Sequence, residues 1–80
     1  MSTWFVYMLR CADNSLYTGI TTNLEKRLKA HNEGKGAKYT RGRGPVVMVY
    51  QRECGSQSDA LKQELAMKRL TTEQKRRLCQ

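Results

Sequence analysis

The alternation of apolar and polar positions along the chain predicts a compact run of short elements. Residues 4–10, Trp-Phe-Val-Tyr-Met-Leu-Arg, are rich in aromatic and β-prone side chains and predict a strand. Ala12-Asp13-Asn14-Ser15 is turn chemistry, because Asn and Asp tolerate left-handed backbone angles and bond their own main chain. Residues 16–20 then predict the returning strand of a β-hairpin. Thr21 to Asn23 offer helix caps, and Leu24, Leu28 and His31 recur at helical spacing, so a helix is expected over about 23–32. The window 34–44 holds four of the six glycines and predicts a loop, since glycine is costly inside regular structure. After Pro45, the apolar run Val46-Val47-Met48-Val49-Tyr50 suits a short, well-buried third strand. Ser56-x-x-Asp59 caps a helix over about 58–69, and Thr71-x-x-Gln74 opens a terminal helix reaching about 78. The order β-β-α-β-α-α predicts an α/β (α+β) fold: a small three-stranded sheet with flanking helices, one domain over 1–80.

Charge then narrows the class. Fifteen Lys and Arg against seven Asp and Glu leave a net +8 on 80 residues, which points to a polyanionic partner, nucleic acid first. Seven basic residues against two acidic ones fall in 24–44, and five against one in 68–77, so the excess sits in two patches. The longest apolar run, Trp4 to Leu9, has six residues, far below the roughly 20 that span a bilayer, so no membrane partner is expected. Cys11, Cys54 and Cys79 are odd in number and far apart, which predicts neither a disulfide framework nor a zinc site and suits a reducing, cytoplasmic setting.

Two helices carry charge where an amphipathic helix should be apolar. At 100° per residue, Arg27 falls about 60° from Leu24 and His31 about 20° from it, both inside the arc of Leu24, Leu28 and Ala30. Glu64 stands about 60° from Leu61, in the same relation to Leu61 and Leu65. Each helix is therefore expected to aim an ionisable group at the sheet. Burying a charge without compensation costs several kcal/mol, on the order of 3–5 when one partner of a pair is missing. An Arg27–Glu64 salt bridge would answer that cost structurally. A polar pocket would answer it functionally, with Glu64 on a cation and Arg27 on a phosphate.

Tyr7 and Tyr17 lie on the two hairpin strands, and Arg27 follows ten residues after the second. The ordered set Phe5-Val6-Tyr7, Tyr17-Thr18-Gly19, Arg27, His31 and Glu64 resembles the GIY-YIG nuclease superfamily, specifically its short single-domain branch of predicted endonucleases. Phe5 stands for the glycine of the first motif and Thr18 for the isoleucine of the second, while both tyrosines and Gly19 are kept. The stretches from Leu16 through His31 and from Gly34 to Thr40 carry the likeness to the small branch. The resemblance implies a GIY-YIG fold, phosphodiester hydrolysis in DNA in a repair or recombination setting, and Tyr7, Tyr17, Arg27, His31 and Glu64 converging in one solvent-reachable cavity. Glu64 would then be the ligand of one divalent ion, Mg or Mn.

The chemistry is consistent with those residue types. Mg²⁺ keeps most of its waters and needs only one or two carboxylates, so Glu64 alone suffices for a one-metal site. Arg27 can hold a phosphate bidentately. A tyrosine is a poor base near its free pKa of about 10; a neighbouring Arg27 or metal would favour the phenolate and let Tyr7 or Tyr17 activate water. Gly19 would let backbone approach the substrate. As a neutral imidazole His31 would orient Tyr7 or accept a proton; the alternative is a structural histidine at the helix end, hydrogen-bonded to a carbonyl. Lys35, Lys38, Arg41 and Arg43 are expected to grip phosphates, with Tyr39 stacking on an unpaired base. A non-catalytic nucleic-acid-binding module on the same fold is the alternative.

Overall fold

The computed structural model describes residues 3–79. Strand β1 (Trp4–Arg10) and strand β2 (Leu16–Thr21) form the expected antiparallel hairpin, with Tyr7 opposite Gly19 and Leu9 opposite Tyr17. The turn follows its residue types: Asn14 has φ 70°, and the Asp13 carboxylate accepts from the Ser15 N–H and hydroxyl. Helix α1 (Leu24–Asn32) starts at Asn23, whose side chain accepts from the Lys26 N–H. Its end is a Schellman turn. Gly34, at φ 75°, donates to His31 O, and Lys35 donates to Ala30 O, which throws the chain back over the helix. The returning loop contains one 3₁₀ turn, Lys38–Thr40.

Strand β3 (Val47–Cys54) departs from expectation in length and place. The sheet order is β2-β1-β3, so the apolar run that predicted a well-buried strand forms an edge, and Val47 is exposed. The strand also continues four residues beyond Tyr50. Gln51, Arg52 and Glu53 pair with β1 through their backbones, and an edge strand can expose polar side chains at no cost to the core. A bulge lies between Met8 and Leu9: their partners are Tyr50 and Met48, which leaves Val49 as the extra residue. Helix α2 (Gln57–Lys68) is capped by Ser56, and helix α3 (Thr72–Leu78) by the reciprocal Thr71–Gln74 box.

The central strand has two apolar faces. Val6 and Met8 pack with Cys54 and, from α2, Ala60 and Met67; Cys79 joins them from the end of α3. Tyr7 and Leu9 pack on the other face with Cys11 and Val46, against Leu24 and Leu28 of α1. The wheel set on Leu61 and Leu65 is overturned, because these leucines are 47% and 54% exposed. The inward arc of α2 is instead Ala60, Gln63, Glu64 and Met67, an i, i+3, i+4, i+7 set. Glu64 does face inward, but from the flank of a different stripe.

Candidate active site

Tyr7, Arg27 and His31 meet on the α1 face of the sheet. The Tyr7 ring crosses its neighbour on β2, where Gly19 leaves room: a methyl group there would lie 2.6 Å from Tyr7 Oη and 2.8 Å from Cζ. Gly19 therefore makes space for a side chain of this protein, whereas the sequence suggested substrate. Arg27 Nε donates to Tyr7 Oη at 3.3 Å, and Tyr7 Oη lies 2.9 Å from His31 Nε2. His31 Nδ1 is 2.7 Å from Thr40 Oγ1, which donates to Ala37 O at 3.0 Å. Gly36 packs flat on the imidazole, where a Cβ would come within 2.7 Å of His31 Cγ. Gly36→Ala is expected to lower stability by about 1–3 kcal/mol through overpacking, read as a lower urea midpoint at unchanged slope.

The site has two layers. Tyr7, His31 and Thr40 are buried, so the expected single solvent-reachable cavity does not form. Tyr17 and Arg27 are half-buried, and Arg27 lines a shallow cavity of about 240 Å³ with Thr21, Thr22, Asn23, Lys26 and Ala30. Glu64 projects inward from α2, half-buried, and its charge reaches Tyr7 and helps to raise that phenol's pKa. Its ion-pair partner is Lys68 at 3.6 Å. Among the described residues there is no Arg27–Glu64 pair, so the structural salt-bridge alternative fails.

Burial governs the protonation states. Arg27 pulls Tyr7 toward the phenolate, as expected, but desolvation outweighs it and pushes the Tyr7 pKa up, so Tyr7 rests as a neutral phenol. The Tyr7 oxygen in turn helps to hold Arg27 charged. His31 is pushed below its ordinary 6.5, first by burial and then by the Arg27 charge, so it rests neutral. The folded state consequently binds fewer protons than the unfolded chain below that value. Stability is complete above about pH 6.5 and falls as pH drops through the His31 pKa. Urea midpoints measured between neutral pH and pH 5 should show this extra fall in wild type and lack it in His31→Gln.

The basic loop is folded against the site. Tyr39 stacks on Tyr17, with centroids 5.9 Å apart, and the Arg43 guanidinium lies 4.5 Å from the Tyr39 centroid while pairing with Asp13. The Tyr39 ring, expected to meet a base, thus already has two partners, and Arg43 has a carboxylate. Lys35, Lys38 and Arg41 remain exposed. Asn32 anchors the loop's far end, accepting from the Val46 N–H at 2.7 Å and donating to its carbonyl at 3.3 Å. Sequence reasoning missed Thr40 and Gly36. Neither carries a periodicity, and the one signal for both was their place in the Gly34 to Thr40 stretch that carries the family likeness. No three His, Cys, Asp or Glu side chains converge as a metal cluster among the described residues. A lone Glu64 therefore fits a largely hydrated Mg²⁺ and does not fit Zn²⁺, which needs three or four protein ligands.

A three-stranded sheet with its paired tyrosines, helix arginine and flanking glutamate defines a class, and the comparisons agree. Residues 3–77 match the GIY-YIG catalytic domain, and the chain belongs to that family. Its relatives are UPF0213 proteins, a short single-domain branch. It is 57% identical over 74 residues to the UPF0213 protein of Clostridium perfringens, covering 92% of this chain and 80% of that one. It is 50% identical over 78 residues to the UPF0213 protein YhbQ of Escherichia coli, covering 98% and 78%. The solution structure of a UPF0213 protein from Bacillus halodurans superposes with a TM-score of 0.60 at 45% identity, over 95% of this chain and 81% of that one. Family membership implies nuclease-type activity. No helix among the described residues is long and apolar enough to cross a membrane.

Proposed function

We propose that this chain is a Mg²⁺-dependent endonuclease that hydrolyses phosphodiester bonds in DNA. The observation that carries the reading is the buried Tyr7 hydroxyl held between Arg27 Nε and His31 Nε2, with Arg27 itself lining an open cavity. Glu64 would hold the metal, which supplies charge to stabilise the phosphoryl oxygens as negative charge develops. Arg27 binds the scissile phosphate, and Lys26 beside it adds a second positive group. A 3.3 Å hydrogen bond to a neutral phenol is weaker than a bidentate contact with a phosphate, so an arriving phosphate draws the guanidinium off Tyr7 Oη and exposes it. The attacking water then gives its proton to Tyr7 Oη as the Tyr7 proton passes to His31 Nε2. The new P–O bond forms as the ester P–O bond breaks, and the leaving oxygen carries off the electron pair and takes a proton from solvent.

The burial of Tyr7 in the resting fold favours a second reading, a binding module without turnover that uses exposed Lys35, Lys38 and Arg41. One experiment separates them. Purified protein on duplex, branched and single-stranded DNA should cleave at least one substrate with Mg²⁺ and none with EDTA. Salt-sensitive binding, falling with a slope near −0.9 per phosphate contacted, and no cleavage at any Mg²⁺ concentration would favour the binding module.

A further inference from the structure

We propose that Thr40 is a positioning residue that fixes His31 in its Nδ1–H tautomer, so that the Nε2 lone pair faces the Tyr7 hydroxyl. The assignment follows from matching each proton to an acceptor. In the first arrangement Arg27 Nε–H donates to Tyr7 Oη and Tyr7 O–H donates to His31 Nε2. His31 Nδ1–H then donates to Thr40 Oγ1, and Thr40 O–H donates to Ala37 O. Each of these four protons has one acceptor, and the contact left unmade is the long approach of the Ala37 N–H to His31 Nδ1, at 3.4 Å. In the second arrangement His31 Nδ1 accepts from Thr40, and Nε2–H points at a Tyr7 oxygen that already accepts from Arg27. The Tyr7 proton then has no acceptor in a side chain with no exposure, and the 3.0 Å bond to Ala37 O is lost as well. An unsatisfied buried hydroxyl weighs more than one 3.4 Å contact.

Removing the Thr40 hydroxyl reverses the balance. Nδ1 then faces only the Ala37 N–H, a donor, so the imidazole places its proton on Nε2 and Tyr7 loses its acceptor. In a serine protease the equivalent loss of tautomer control lowers turnover about 10⁴-fold. The functional consequence rests on the endonuclease reading; the tautomer itself does not.

The chain has one histidine, so its ring nitrogens can be assigned without ambiguity. Long-range ¹H–¹⁵N correlation on the labelled full chain near pH 8 should show a protonated Nδ1 and an unprotonated Nε2. Thr40→Val should reverse that pattern and lower kcat at least tenfold with KM little changed, and Thr40→Ser should restore both. A wild-type spectrum with the proton on Nε2 overturns the proposal, even if the valine variant fails to fold. A folded Thr40→Val with the wild-type pattern overturns it too. If the tautomer shifts as stated but no variant, wild type included, cleaves DNA, Thr40 keeps its role and the endonuclease reading fails.

Discussion

Glu64→Gln should reduce Mg²⁺-dependent cleavage to background while leaving the fold within about 1 kcal/mol of wild type. Glutamine keeps the shape of the side chain and removes the charge that would hold the ion. The folded protein loses only the Lys68 pair, an i,i+4 contact with a half-exposed lysine. Such pairs contribute about 0.3–0.5 kcal/mol. A glutamate buried against Arg27 would behave differently, since removing one partner of a buried pair costs about 3–5 kcal/mol. Parallel urea melts and cleavage rates across a Mg²⁺ series check both halves. Undiminished cleavage would take Glu64 out of the metal role. A loss of several kcal/mol would make it structural.

The second large effect is expected at Tyr7. Tyr7→Phe keeps the ring that fills the space over Gly19 and removes the oxygen shared by Arg27 and His31. General base catalysis typically contributes about 10²–10⁴-fold, and a fall of that size in kcat is expected. The buried His31 Nε2 loses its partner, at about 1–3 kcal/mol of stability, while half-buried Arg27 can turn to water. Tyr17→Phe is the matched comparison, because its ring keeps its place against Tyr39. If Tyr17→Phe loses activity on this scale and Tyr7→Phe does not, the proton acceptor is Tyr17.

What could be read in advance tracks how local each interaction is. The hairpin, the helix caps and the inward face of α1 follow from neighbours within four residues, and each formed where its pattern placed it. On α2 the leucines were a misleading guide. Small Ala60 and flexible Met67 fit against β1, and the bulkier Leu61 and Leu65 are left outside. On β3 apolar character indicated burial, but position within the sheet decided it, and only the pairing of β1 with both other strands makes Val47–Tyr50 an edge. Within the site, the motif residues were legible individually while their layering was not. That Tyr7 lies inside and Tyr17 toward solvent depends on a bond between residues 24 positions apart. The Thr40 contact arises in a segment with no periodicity at all.

The Schellman turn at Gly34 has a consequence for how this surface segment can evolve. Loops of this kind ordinarily tolerate insertions and deletions. Here the turn and the single 3₁₀ turn set the reach from His31 to Thr40, nine positions on, and Asn32 pins the exit at Val46. Gaining or losing one residue between Gly34 and Thr40 shifts the hydroxyl by about 3.3–3.6 Å, more than a hydrogen bond's length. Drift in this stretch should therefore proceed by substitution at the exposed lysines, with its length held constant.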